Sequence, residues 1–95
     1  MNEIMKVEII VGAIHPMFKR ATEKIEQYRG GYVYVVFGMG SVKLDIDDPL
    51  NLIRFYYDYV EIFNHENGET TLLRMDQIKG FVFEDKPVEA IEDEV

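Results

Sequence analysis

The chain has 95 residues, 47% of them hydrophobic, and a formal net charge of −8, which places it with single globular domains and away from the low-hydrophobicity disordered class. It contains no cysteine, so disulfide staples, thiolate metal sites and cysteine nucleophiles are excluded and a reducing cytoplasm is the expected location. From Glu84 onward six acids oppose one lysine, whereas the preceding residues hold twelve acids against nine bases; a broadly basic, phosphate-tracking surface is therefore not expected.

Residues 4–11 alternate as a strand, with Val7, Ile9 and Val11 on one side and Lys6, Glu8 and Ile10 on the other. Three β-branched residues in succession, Ile9 to Val11, place it in the interior of a sheet. Gly12 and Ala13 break the pattern, and His15-Pro16 opens a helix with proline at its first turn, where a missing N–H costs nothing. That helix, residues 16–28, carries Ile14, Met17, Phe18, Ala21, Ile25 and Tyr28 on one stripe and ends at Gly30-Gly31. One apolar stripe implies one packing surface, the sheet.

Residues 32–37, Tyr-Val-Tyr-Val-Val-Phe, form a strand covered on both faces or lying at an interface. Gly38 to Ser41 reads as a turn rather than an anion-binding nest, because no helix follows it. A partner strand spans 42–46. Asp47-Asp48-Pro49 is a turn in which the carboxylates bond nearby backbone N–H groups, and another strand covers 50–57.

The stretch 59–76 reads as a hairpin in which Asn67-Gly68 makes a two-residue type I′ turn. Counting outward pairs Phe63 with Leu72, Ile62 with Leu73, Glu61 with Arg74, and Val60 with Met75. Val60, Ile62, Leu73 and Met75 then share an apolar face, while Tyr59, Phe63, Leu72 and the Glu61–Arg74 pair share the other. Gly80 marks a bend before a final strand at 81–83. The expected organisation is one α+β domain over 1–84, with a single N-terminal amphipathic helix on a bent, mainly antiparallel sheet or small barrel of about six strands. An acidic tail follows over 85–95, either frayed or a short helix. The apolar runs are too short to span a bilayer, and Glu3 and Glu8 do not fit a secretion signal.

Catalytic chemistry finds little support. His15 reads as a loop residue, His65 as a hairpin residue opposite Thr70, and no nucleophile, base and orienting group assemble around either. Asp45, Asp47 and Asp48 could bind a cation, but they lack the glycine and glutamate positions of a calcium loop, and turn chemistry accounts for them. Neither cofactor nor metal is expected.

The surplus lies in the aromatics. A single sheet packed by one helix has one buried face, so Tyr32, Tyr34, Phe55, Tyr57, Tyr59, Phe63 and Leu72 need cover from barrel closure or from a second subunit. This points to a non-enzymatic protein-interaction or self-association module, a homo-oligomer binding through an aromatic strand surface. The alternative is nucleic-acid binding, with Lys19, Arg20 and Lys24 of the helix and Lys79 as anion contacts; the same helix bases could meet an acidic partner or the chain's own acidic tail. The segment Leu73-Arg74-x-x-x-Ile78-Lys79-Gly80-x-Val82 resembles the closing strands of Sm-like RNA-binding proteins. That resemblance implies a ring of subunits with Lys79 as an RNA contact.

Overall fold

The computed structural model describes residues 3–10 and 14–87. The expected break at Gly12 and Ala13, and residues 88–95 of the expected acidic tail, lie outside the described residues. In chain order the elements are β1 (Lys6–Ile9), α1 (Pro16–Gln27), β2 (Gly31–Phe37), β3 (Gly40–Asp45), β4 (Leu52–Phe55), β5 (Tyr59–Asn64), β6 (Glu69–Arg74), a 3-10 turn (Met75–Gln77) and β7 (Ile78–Asp85). The architecture is α+β, but the seven strands form two open sheets rather than one bent sheet or a barrel. A four-stranded sheet has the order β1-β4-β5-β6 and a three-stranded sheet the order β3-β2-β7. The helix is second in the chain and not N-terminal.

Long-range pairing explains why no barrel closes. The 3-10 turn, whose Met75 N–H bonds the Asp58 carbonyl at 2.9 Å, carries the chain out of the four-stranded sheet and into the other. There β7 pairs with β2 some fifty residues earlier in sequence, Val33 facing Phe83 and Tyr34 facing Val82. β1 pairs with β4 in parallel, Val7 beside Ile53 and Glu8 beside Arg54, and it lies at a sheet edge instead of the expected interior. Ile9 and Ile10 are consequently exposed. Gly80 lies within β7, and the ladder bulges beside it: Val36 faces Gly80 and Phe37 faces Ile78, so Lys79 is the extra residue.

The helix stripe read from the sequence is the buried one. Phe18, Ala21 and Ile25 are buried, with Ile14, Met17 and Tyr28 packed against the core. His15 is a helix cap, its Nδ1 accepting the Met17 N–H at 3.0 Å. Phe18 bridges both sheets, with its ring 5.6 Å from Phe55 and 5.9 Å from Phe81. Val33, Val35, Leu44, Ile46, Ile53, Val60 and Ile62 complete one continuous core.

The hairpin register differs from expectation by two residues. Phe63 faces Thr70, Glu61 faces Leu72 and Tyr59 faces Arg74, because the loop contains four residues and not two. Asn64 Oδ1 accepts the Glu66 N–H at 2.9 Å, the Asn64 carbonyl accepts the Gly68 N–H at 2.8 Å, and only Gly68 takes positive φ, at 74°. A two-residue shift preserves the faces, so Val60, Ile62 and Leu73 remain inward. It does separate the expected Glu61–Arg74 pair; Arg74 instead binds Asp76 at 3.1 Å.

Candidate interaction surfaces

Alternation in β4 and β5 points Ile53, Phe55, Val60 and Ile62 inward and leaves Leu52, Arg54, Tyr59, Glu61 and Phe63 on the outer face of the four-stranded sheet. Across that face Leu52 lies beside Phe63, and Glu61 lies between Arg54 and Leu72. Arg54 occupies the centre. Its Nε meets Glu8 at 2.6 Å and its Nη1 meets Glu61 at 3.5 Å, and the Tyr56 hydroxyl bonds Glu61 at 3.2 Å. Hydrogen bonding to Tyr56 and then to Glu8 holds the guanidinium above its ordinary pKa. Tyr56 stacks on Tyr59 with centroids 4.6 Å apart and planes 11° apart. Leu72 is 62% exposed at the edge strand. No element of the described chain covers this face.

The structure divides the predicted aromatic surface. Tyr59, Phe63 and Leu72 share the face just described, while Tyr57 is 87% exposed on the β4–β5 turn. Tyr32 and Tyr34 lie on the outer face of the three-stranded sheet and are already engaged. The Lys43 ammonium lies 4.1 Å from the Tyr32 centroid, and the Tyr34 hydroxyl donates to Glu84 at 2.7 Å, a bond that raises the phenol's pKa. Phe55 is a correction: it is 0% exposed in the core, stacked on Phe18, and cannot contribute to a surface.

The helix bases also separate. Arg20 and Lys24 flank a groove of about 480 Å³ between α1 and β7, floored by Met17, Ala21, Phe81 and Phe83. Lys19 is exposed on the helix but does not line it. Lys79 belongs to another depression, with Arg74 and the β2–β3 turn. The two halves of the Sm-like resemblance lie in different sheets, since Leu73 and Arg74 end β6 whereas Ile78 to Val82 open β7.

The aspartates act as fasteners. Lys86 Nζ lies 2.9 Å from both Asp45 and Asp47, which raises its pKa. Asp47 also accepts the Gly30 N–H at 3.0 Å, Gly30 being at φ 75°. Burial pushes the Asp47 carboxyl upward, but the Gly30 N–H and Lys86 outweigh it and leave the pKa lowered. Asp48 receives His65 Nδ1 at 2.9 Å, and this bond, with the Leu50 N–H, lowers its pKa. Buried Asn51 ties the two loops together, donating to the Asp45 carbonyl at 2.9 Å and accepting the His65 N–H at 2.7 Å. The Asp48–His65 meeting was invisible in sequence; only an Asp-rich turn and a hairpin loop hinted at polar contacts. Among the described residues no cluster of three or more His, Asp or Glu is arranged to hold a metal, and no helix is long and apolar enough to cross a membrane.

Fold and surface together define an α+β domain of two open sheets, the four-stranded one carrying a partly apolar outer face that no described element covers. No family model, curated protein or solved structure matches the chain.

Proposed function

We propose that this protein is a non-enzymatic self-association module of the cytoplasm, two copies meeting through the outer face of the four-stranded sheet. The observation that carries the proposal is the charge of that face. Its basic residues Lys6, Arg54 and Arg74 balance Glu8, Glu61 and Asp76, the last two of which pair with Arg54 and Arg74 respectively. In a chain of net charge −8, two copies repel least where the acids are neutralised. Here the neutral zone coincides with Leu52, Tyr59, Phe63 and Leu72, uncovered by any described element.

Four strands spaced about 4.8 Å apart, each several residues long, give a face of roughly 20 by 20 Å, or ~400 Å² in plan. A standard interface needs about 800 Å² per partner. The expected association is therefore weak and reversible rather than obligate. Leu72→Glu adds an unpaired carboxylate to the apolar part of the face at an exposed position, and it should weaken association at least ~10-fold by light scattering. Val82→Glu, at a residue 52% exposed on the other sheet, should leave association unchanged. Association lost in the Val82 variant and kept in the Leu72 variant would overturn the assignment of this face.

A further inference from the structure

A second surface has the makings of a peptide site. Among the described residues β7 is the longest strand, eight residues from Ile78 to Asp85, and has β2 as its one strand neighbour. Among the described residues the one backbone bond made at its end beyond that ladder is Lys86 N–H to the Gly30 carbonyl at 2.9 Å. No described residue pairs with its other edge, whose row of donors and acceptors is of the sort that accepts an added strand. Alongside runs the groove of about 480 Å³, with Met17, Ala21, Phe81 and Phe83 as an apolar floor.

The rim carries the sign of the ligand. Arg20 and Lys24 stand four residues apart on one helix, a like-charge spacing that destabilises the helix. Neither forms an ion pair among the described residues, where the basic partners in such pairs are Arg54, His65, Arg74 and Lys86. Lys24 Nζ instead lies 5.4 Å from the Phe83 centroid, over the groove floor. Two cations with no ion-pair partner among the described residues, beside an apolar slot in a protein otherwise dominated by acids, favour a ligand that brings carboxylates together with apolar side chains. An anionic polymer without apolar groups would leave Phe81 and Phe83 unused.

We propose that the α1–β7 groove binds an acidic, apolar-containing segment of a partner protein in extended form. The segment adds to the β7 edge, sets apolar side chains on Phe81 and Phe83, and brings carboxylates to Arg20 and Lys24. This site is distinct from the self-association face.

The test is selection of short random peptides on the full-length protein, followed by binding of the selected peptides measured by fluorescence polarisation. Enrichment of peptides combining acidic and apolar residues is expected. Their affinity should fall at least ~10-fold in the Arg20→Glu/Lys24→Glu variant, remain unchanged in Lys43→Glu on the outer face of the three-stranded sheet, and weaken with added salt. Circular dichroism of the variants confirms an unchanged fold, since Arg20 and Lys24 are both exposed. No enrichment, enrichment of non-acidic peptides, or equal binding by the charge-reversed variant would overturn the proposal. So would a large gain in affinity when Glu89, Glu92, Asp93 and Glu94 are changed to their amides in the full chain, which would make the protein's own terminus the occupant.

Discussion

Replacing Phe55 by alanine separates a core role from a surface role more sharply than any other single change. The ring is 0% exposed, lies 5.6 Å from Phe18, and occupies the junction where the helix meets the four-stranded sheet. Truncating a fully buried phenylalanine costs about 3–5 kcal/mol, the lost transfer energy and the residual cavity together. Domains of this size have total stabilities of roughly 5–15 kcal/mol, so Phe55→Ala removes a large fraction of the whole. With each kcal/mol worth about 4–8 °C, the thermal midpoint should drop by ~12–40 °C. Urea unfolding followed by circular dichroism measures the loss directly. Tyr57→Ala, two residues away at an 87% exposed position, should change stability by no more than ~0.5 kcal/mol. If Phe55→Ala costs less than ~1 kcal/mol and Tyr57→Ala costs as much, the inward parity of β4 is wrong and the core must be redrawn.

Other outcomes follow from close approaches and shifted carboxylates. Gly31→Ala would place its Cβ 2.7 Å from the Glu84 carbonyl oxygen and against the Tyr28 ring; overpacking against a backbone atom should cost about 1–3 kcal/mol, whereas Gly38→Ala meets nothing within 4 Å and should be near neutral in the same urea assay. Asp47 and Asp48 have pKa values below the ordinary carboxylate value, so their bonds stabilise the fold above an unfolded pKa of about 3.9, and that contribution is lost as pH falls through the lower folded values. Asp48→Asn should therefore reduce stability at pH 7 and flatten its decline below pH ~4; an undiminished acid decline would count against the His65–Asp48 fastening. Tyr28 and Tyr34 have raised pKa values because they donate to Asp85 and Glu84. Their contribution is complete below the ordinary tyrosine value of about 10 and disappears as pH rises through the folded values, so Tyr34→Phe should lessen alkaline destabilisation above that pH.

What could be read from the residues was mostly local. The helix was legible because Met17, Phe18, Ala21 and Ile25 repeat at three- and four-residue steps, and the strands because valine, isoleucine and aromatic residues alternate with polar ones. The identity of the hairpin's two faces survived an incorrect register, since the error was an even number of residues. Its cause was the side chain of Asn64, whose bond to the Glu66 N–H opens a four-residue loop that the Asn67-Gly68 dipeptide does not reveal. Phe55 was misplaced although a signal existed: Arg54 must face water, so alternation sends its neighbour Phe55 inward.

The division into two sheets was not legible. Pairing of β1 with β4 and of β2 with β7 depends on long-range packing, and short connections alone favoured a single antiparallel sheet. Grouping Tyr32 and Tyr34 with Tyr59 and Phe63 assumed one continuous surface, whereas the fold places them on separate sheets. The clasp of Lys86 on Asp45 and Asp47 likewise joins residues some forty positions apart, and no spacing rule connects them. Arg20 and Lys24 were recognisable as a local basic spot, but the apolar floor that turns them into a groove comes from β7, far along the chain.

Sedimentation equilibrium of the protein across ~1 μM to ~1 mM is the direct test of the uncovered sheet face, because even weak, reversible association changes the average mass within that range. The predicted mass rises with concentration from 11.1 kDa toward twice that value, and Leu72→Glu shifts the rise to higher concentration. A mass that stays at 11.1 kDa throughout would contradict self-association through the outer face of the four-stranded sheet.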